Sequence, residues 1–391
     1  MTTLRVVLAP DSFKGSLSAE EVCAALARGL ARAAPGVEVR ARPMADGGEG
    51  TLDAVLAAVG AAGRRAHVRV TGAGGEPIDA AYGVITRDDG VTAVLEAAQV
   101  VGITDPAGMS VPVAQRSTRG LGELVKHLLD AGIRRFMVGL GGSSTNDGGS
   151  GLLSALGVAL IGDTGAPIAP APNGLASLAR ITLIDLDPRL RACEFRIMSD
   201  VNNPLTGALG ATAIFGPQKG VLPGEVEPFD RVIGRYAKLA QAAFGREVED
   251  QPGAGAAGGL GFAFQLLGGT MQSGAEVVAE LIGLPAAIEG ADWVITGEGR
   301  SDRQTLLAKA PFVVARHAAA HGVPVTLVSG AIDPAALADL GRHFAGCFGL
   351  PNAPLPLAEC IARAAELLEA RAEQLARVFL AGQSGPRRTV E

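Results

Sequence analysis

The chain has 391 residues, longer than one hydrophobic core usually serves, so two domains are expected. Its net charge is −6, only 4% of residues are aromatic, and its 34 basic residues form no run, which argues against nucleic-acid or anionic-membrane partners. No stretch reaches the roughly 20 apolar residues that span a bilayer, and the N-terminus shows no leader pattern. The four cysteines are far apart, as expected of reduced thiols in a cytoplasmic protein.

In chain order, Arg5–Ala9 is a short apolar strand that runs into Pro10-Asp11-Ser12. Ser18 stands three residues before Glu21, a capping-box spacing, and Val22, Leu26 and Leu30 follow at helical intervals. Val37–Arg42 is a second strand, leading through Asp46-Gly47-Gly48-Glu49-Gly50 to a helix that Thr51 can cap. This rhythm predicts a parallel, doubly wound sheet.

Near residue 65 the texture changes. His67–Val70, Ala80–Ile85 and Val91–Ala97 read as antiparallel strands joined by Gly-rich turns. A helix follows over Gly120–Ala131, then the strand Phe136–Leu140 and a polar loop. Further strands are predicted at Phe195–Ser199 and Ala211–Phe215, and a helix over Val226–Phe244. The opening rhythm then returns: strand Trp293–Thr296, helix Arg303–Ala320, strand Val323–Ser329, helix Asp333–Arg342 and a closing helix Ala358–Leu380. The fold class expected is α/β, one domain built from both chain ends (1–65 and 285–391) with a second mixed α/β domain (66–284) inserted.

Glycine is abundant, with 54 residues, and clusters in loops. Four strand-to-loop junctions share one pattern of glycines, acids and hydroxyls: Asp11–Ser16, Asp46–Thr51, Gly139–Gly149 (GLGGSSTNDGG) and Thr296–Asp302. In open parallel sheets, ligands bind at the carboxyl ends of strands, where glycines let backbone N–H groups approach phosphate. Carboxylates repel phosphates, so Asp46, Glu49, Asp147, Asp200, Glu298 and Asp302 need a cation between them. Mg²⁺ suits, being held by one or two carboxylates plus substrate phosphates. Lys14, Lys219, Arg300 and Lys309 supply further positive charge. The bland alternatives are turn-building for single Asp-Gly elements, Asx-turns for Asn146 and Asn203, and helix capping for Gln304 and Thr305.

Other motifs carry less. Gly253–Gly258 matches G-x-G-x-x-G but follows a charged, Pro-ended segment where the dinucleotide fingerprint needs a strand. There is no P-loop. His317 and His321 lack the glutamate of a zinc protease and read as charges at a helix C-terminus.

APDSFKGSLSAEE, MADGGEGT, GGSSTNDGG, SDVNNPLTG with FGPQKG, and ITGEGRSDRQT together resemble the bacterial glycerate kinase family, from about residue 4 to 380. The resemblance implies a Rossmann- or flavodoxin-like domain paired with a second α/β domain, the active cleft lying between them. It also implies ATP-dependent phosphorylation of D-glycerate, usually to 2-phosphoglycerate. Two places depart from the family pattern: Leu121 in Gly120–Leu124, where the family commonly has Thr, and Ala308 before Lys309-Ala310-Pro311, where it commonly has Gly.

On this reading Gly141, Gly142, Ser143, Ser144, Asn146, Gly297, Gly299 and Lys219 bind nucleotide, and Asp147, Glu298 and Asp302 hold Mg²⁺. Lys14 is catalytic, Asp46 or Asp200 accepts the substrate hydroxyl proton, and Ser12, Arg300 and Asn203 bind D-glycerate. The partners expected are D-glycerate and ATP, without nucleic acid or membrane, and a homo-oligomer is left open. A non-kinase enzyme in the same cleft and a glycerate-binding regulator are the competing readings; both would work without consuming ATP.

Overall fold

In a computed structural model of the chain, residues 3–48, 50–88 and 90–384 are described. Glu49, in the second acidic loop, lies outside them. Contacts divide the chain into two compact units, Met1–Asp46 with Ala275–Glu391, and Gly47–Gly274. In chain order the strands of the two main sheets are β1 (Arg5–Leu8), β2 (Glu38–Ala41), β3 (Gly63–Thr71), β4 (Pro77–Arg87) and β5 (Gly90–Glu96). They continue as β6 (Arg135–Gly139), β7 (Glu194–Met198), β8 (Thr270–Gln272), β9 (Trp293–Thr296), β10 (Val325–Ser329) and β11 (Gly346–Gly349).

The first unit holds an all-parallel sheet in the order β11-β10-β9-β1-β2. Counted by its own strands, this is the 2-1-3-4-5 order of flavodoxin-like doubly wound folds. Central strands of such sheets are covered on both faces, and here Val6, Val7, Leu8, Val294 and Ile295 are all fully buried. The helix Ala19–Ala33 starts at the expected capping box: Glu21 N–H donates to Ser18 Oγ (3.2 Å) and Ser18 N–H to Glu21 Oε2 (2.8 Å). Its buried face of Val22, Leu26 and Leu30 joins a core with Leu368, Ala372 and Ala376 of the closing helix Ala364–Ser384. The two helices approach closely because Gly29 lacks a side chain; a Cβ there would stand 2.2 Å from the Glu369 carbonyl.

Three predicted helices are broken in two. The span expected over 303–320 is a 3₁₀ turn, Arg303–Leu306, followed by the helix Ala310–Ala320. Between them Ala308 takes φ +62°, which no α-helix contains. The span 333–342 is a 3₁₀ turn, Pro334–Ala336, and one helical turn, Leu337–Leu340. The closing helix is preceded by a separate short one, Leu357–Ala362. Strand β11 was not anticipated: it is a glycine-flanked, half-buried edge strand without alternation.

The second unit holds a mixed sheet in the order β8-β7-β6-β5-β4-β3. Its β3-β4-β5 meander is antiparallel and the remaining pairs are parallel. Phe136 and Phe195 stack across β6 and β7 with ring centroids 4.9 Å apart. Ala211–Phe215, expected as a strand, is a short helix that begins after Gly210; five apolar residues are too few for periodicity to separate the two. The sequence boundaries at 65/66 and 284/285 compare with 46/47 and 274/275 in the contacts. The helix Thr51–Val59 accounts for the first difference, since Leu52 and Leu56 pack over Gly83 of β4. In the first unit, Glu276 pairs with His317 at 3.1 Å, which accounts for the second.

Gly253–Gly258 follows no strand, as read, and closes as a turn with Gly253, Ala257 and Gly258 at positive φ. Among the described residues, no helix is long and apolar enough to cross a membrane.

Candidate active site

In the first unit, strand order reverses at β1, where the chain on one side leads to β2 and on the other to β9. This is where doubly wound folds bind ligands, beyond the carboxyl ends of the strands. The loops leaving β1 and β9 begin side by side: Ala9 N–H donates to the Ile295 carbonyl (2.9 Å) and Asp11 N–H to that of Gly297 (2.8 Å). Gly297 is required by crowding, since a Cβ would lie 1.8 Å from the Val328 carbonyl. The loop from Phe13 to Leu17 closes on itself through Phe13 N–H to Leu17 O and Ser16 N–H to Phe13 O, both 2.8 Å.

A cavity of about 630 Å³ opens beside these loops, entirely within the first unit. One side carries Asp11, Ser12, Lys14, Asp46, Glu298, Gly299, Arg300 and Lys309; the other is the apolar stretch between Leu350 and Ala364. Lys14 Nζ stands 3.8 Å from Asp46 Oδ2, and the lysine side chain is 64% exposed. Asp11 is buried and takes the Ser12 N–H at 2.6 Å. Burial, then the charge of Asp46, pushes the Asp11 carboxyl well above the usual carboxylate range, with Lys14 opposing. Burial likewise raises Glu298, although its Oε1 accepts the hydroxyls of Thr305 (2.6 Å) and Ser301 (2.9 Å) and Lys309 lies near. The cavity therefore places buried acids beside the exposed cations Lys14 and Arg300.

Of the residues singled out in the sequence, Ser12, Lys14, Asp46, Glu298, Gly299 and Arg300 line this one cavity. Gly297 sets the strand-end geometry. Asp302 does not line it: its Oδ1 caps the following 3₁₀ turn by accepting Gln304 N–H at 2.7 Å. Asp302 thus has a capping part in this loop.

The remaining expected residues lie in the second unit. Gly141 and Gly142 stay accessible, but Ser143, Ser144, Asn146 and Asp147 are buried. Asp147 is the acceptor around which the loop is built: its oxygens take Thr118 N–H and Oγ1 (both 2.8 Å), Gly149 N–H (3.0 Å) and Gly151 N–H (3.1 Å). Those four contacts give it a structural part in the loop. Lys219 points inward as well, donating to Thr145 O (2.7 Å) and Ser143 Oγ (3.0 Å), and burial lowers its ammonium to about 7. Ser144 donates to Val101 O at 3.0 Å, and Asn146 Nδ2 to Thr212 Oγ1 at 3.0 Å. These side chains brace the loop from within, while Gly141 and Gly142 leave backbone accessible. Asn203 Nδ2 is spent on Leu209 O (2.8 Å), bracing its own turn, while Asp200 follows β7 and is half-buried.

The sequence comparisons agree with the motif pattern. The model of the glycerate kinase family matches residues 6–380. The chain belongs to the glycerate kinase family. It is 40% identical to a glycerate kinase from Bacillus subtilis, covering 95% of this chain and 97% of that one. It is 41% identical to a glycerate 2-kinase from Escherichia coli, over 84% and 86%. A crystal structure of a provisionally assigned glycerate kinase 2 from Salmonella typhimurium LT2 superposes with a TM-score of 0.82, at 39% identity, over 98% of this chain and all of that one.

Sequence reasoning passed over two parts of this family member's cavity. Asp11 was noted only within its motif, as a loop acid. The apolar side drew no comment, Ile361 falling within the predicted closing helix and Leu357 just before it; exposure of Leu357 at 74% is the sign that it faces no core.

Proposed function

We propose that the protein transfers the γ-phosphoryl group of ATP to the C2 hydroxyl of D-glycerate, giving 2-phosphoglycerate and ADP in the cytoplasm. Family membership makes it a kinase that phosphorylates glycerate. The observation that carries our residue assignments is the first unit's cavity, where Lys14, Arg300 and Lys309 face the acids Asp11, Asp46 and Glu298 at a flavodoxin-like switch point. The 2-hydroxyl is favoured by the glycerate 2-kinase name of the E. coli relative.

In our reading, Lys14 and Arg300 bind the transferring phosphoryl group or the glycerate carboxylate, and Ser12 hydrogen-bonds the acceptor. Asp46 accepts the hydroxyl proton; Asp200 of the second unit is the other candidate. Phosphoryl transfer depends mostly on positioning and charge neutralisation, so the cations outweigh the base. Gly299 beside the phosphates lets backbone come close.

Mg²⁺ fits this donor set. Among the described residues no group of three or more acids, histidines or cysteines is gathered as a metal cage. Mg²⁺ needs none, because one or two carboxylates plus phosphate oxygens hold it. Glu298 would supply such a carboxylate, standing on the same cavity as Asp11 and near Lys309. The ion would neutralise charge on the β- and γ-phosphates.

The test is an assay with ATP, Mg²⁺ and D-glycerate, the product identified by ³¹P NMR. ADP release matched by 2-phosphoglycerate is expected. Formation of 3-phosphoglycerate would overturn the regiochemistry, and glycerate-independent ATP loss would overturn the acceptor.

A further inference from the structure

The cavity is far larger than a three-carbon acid needs and lies within the range of sites that enclose nucleotide-sized ligands. Its two sides differ in chemistry. Lys14, Arg300 and Lys309 stand on the loop side, and Leu350, Pro351, Leu355, Leu357, Cys360 and Ile361 form the other. Leu357 and Ile361 are one helical turn apart on Leu357–Ala362, so they present a single edge, yet they remain 74% and 41% exposed. Apolar side chains left open along a cavity wall mark a binding surface. The wall is tied to the charged side: Ser16 Oγ donates to the Ile361 carbonyl at 3.1 Å, joining the Lys14 loop to this helix.

A ligand that matches both sides has a flat apolar body at one end and several negative charges at the other. Glycerate has no such body, and a bare polyphosphate has no use for the wall. We propose that the segment from Leu350 to Ile361 is the subsite for the heterocyclic base of the phosphoryl donor, with its phosphates directed to Lys14, Arg300 and Lys309. This deepens the kinase reading and rests on it.

Leu357→Asp and Leu357→Ala test the inference in the full chain. Because Leu357 is largely exposed, neither substitution removes core packing. Isothermal titration with ADP and with inorganic tripolyphosphate separates the two ends of the donor. ADP affinity should fall at least tenfold in Leu357→Asp and severalfold in Leu357→Ala, while tripolyphosphate affinity stays within twofold. In the coupled assay, the KM for ATP should rise by the same factor, and the KM for glycerate at saturating ATP should stay within twofold.

Unchanged ADP affinity in both variants would overturn the proposal, as would an equal fall for ADP and tripolyphosphate. A rise confined to the glycerate KM would also overturn it, placing the acceptor on the wall. The wild-type ADP titration stands apart from turnover. A chain that binds ADP in a Leu357-dependent way without phosphorylating glycerate would sink the kinase reading and leave the base subsite standing.

Discussion

Lys14 sits on a closed loop within reach of Asp46 and is mostly exposed. It adds nothing to the core, and in our reading its contribution is to ligand. Lys14→Ala should lower kcat/KM by at least a hundredfold, while thermal unfolding moves by less than about 2 °C, as expected of an exposed side chain; paired kinetics and calorimetry would check both. Lys219 makes the opposite case. Its ammonium is lowered to about 7 by burial, whereas the unfolded chain holds its proton to the ordinary value of 10.5. Between those values the unfolded state binds more protons, so this group's penalty is full below pH 7 and is relieved as pH rises. Wild-type stability relative to Lys219→Met should therefore increase by about 2 kcal/mol from pH 7 to 9, read from urea unfolding of both proteins. Equal pH profiles would show that the lysine is not held as described. The two lysines also mark a limit of sequence reading. Acids and bases in a glycine-rich loop look alike whether they face a cavity or brace the loop: burial separates Lys14 from Lys219, and the cavity lining separates Glu298 from Asp147.

Among the elements, most were legible because both chain ends repeat strand, polar loop and helix. The capping box at Ser18 and Glu21 fixed one helix start within the sequence itself. What was not legible depended on tertiary override of local pattern. Ile361 fell within the predicted closing helix and Leu357 just before it, and nothing local reveals a cavity on that side. The break at Ala308 was equally hidden, because alanine is the strongest helix former. At φ +62° its Cβ is strained, where the family pattern commonly has glycine. Ala308→Gly should raise stability by about 1 kcal/mol, seen as a higher urea midpoint at unchanged slope. A lower midpoint would mean that the left-handed turn is not populated. Since Lys309 follows directly and lines the cavity, the same variant reports whether this turn sets the lysine's position.

At the scale of the molecule, the second unit is one continuous stretch with its own sheet and core, whereas the first needs both chain ends. A fragment of residues 47–274 should fold alone, with a cooperative urea transition and a dispersed amide NMR spectrum; a broad, non-cooperative transition would refute its independence. The discontinuity has a consequence for biosynthesis. Strands β1 and β2 leave the ribosome first, but β1 has its other neighbour only when residues 293–296 emerge. At about 5–20 residues per second that wait lasts on the order of tens of seconds, during which the inserted unit can be completed. The Arg5–Leu8 segment meanwhile lacks β9 and the closing helix that complete its core, which makes it a natural client for chaperones that hold hydrophobic segments during translation.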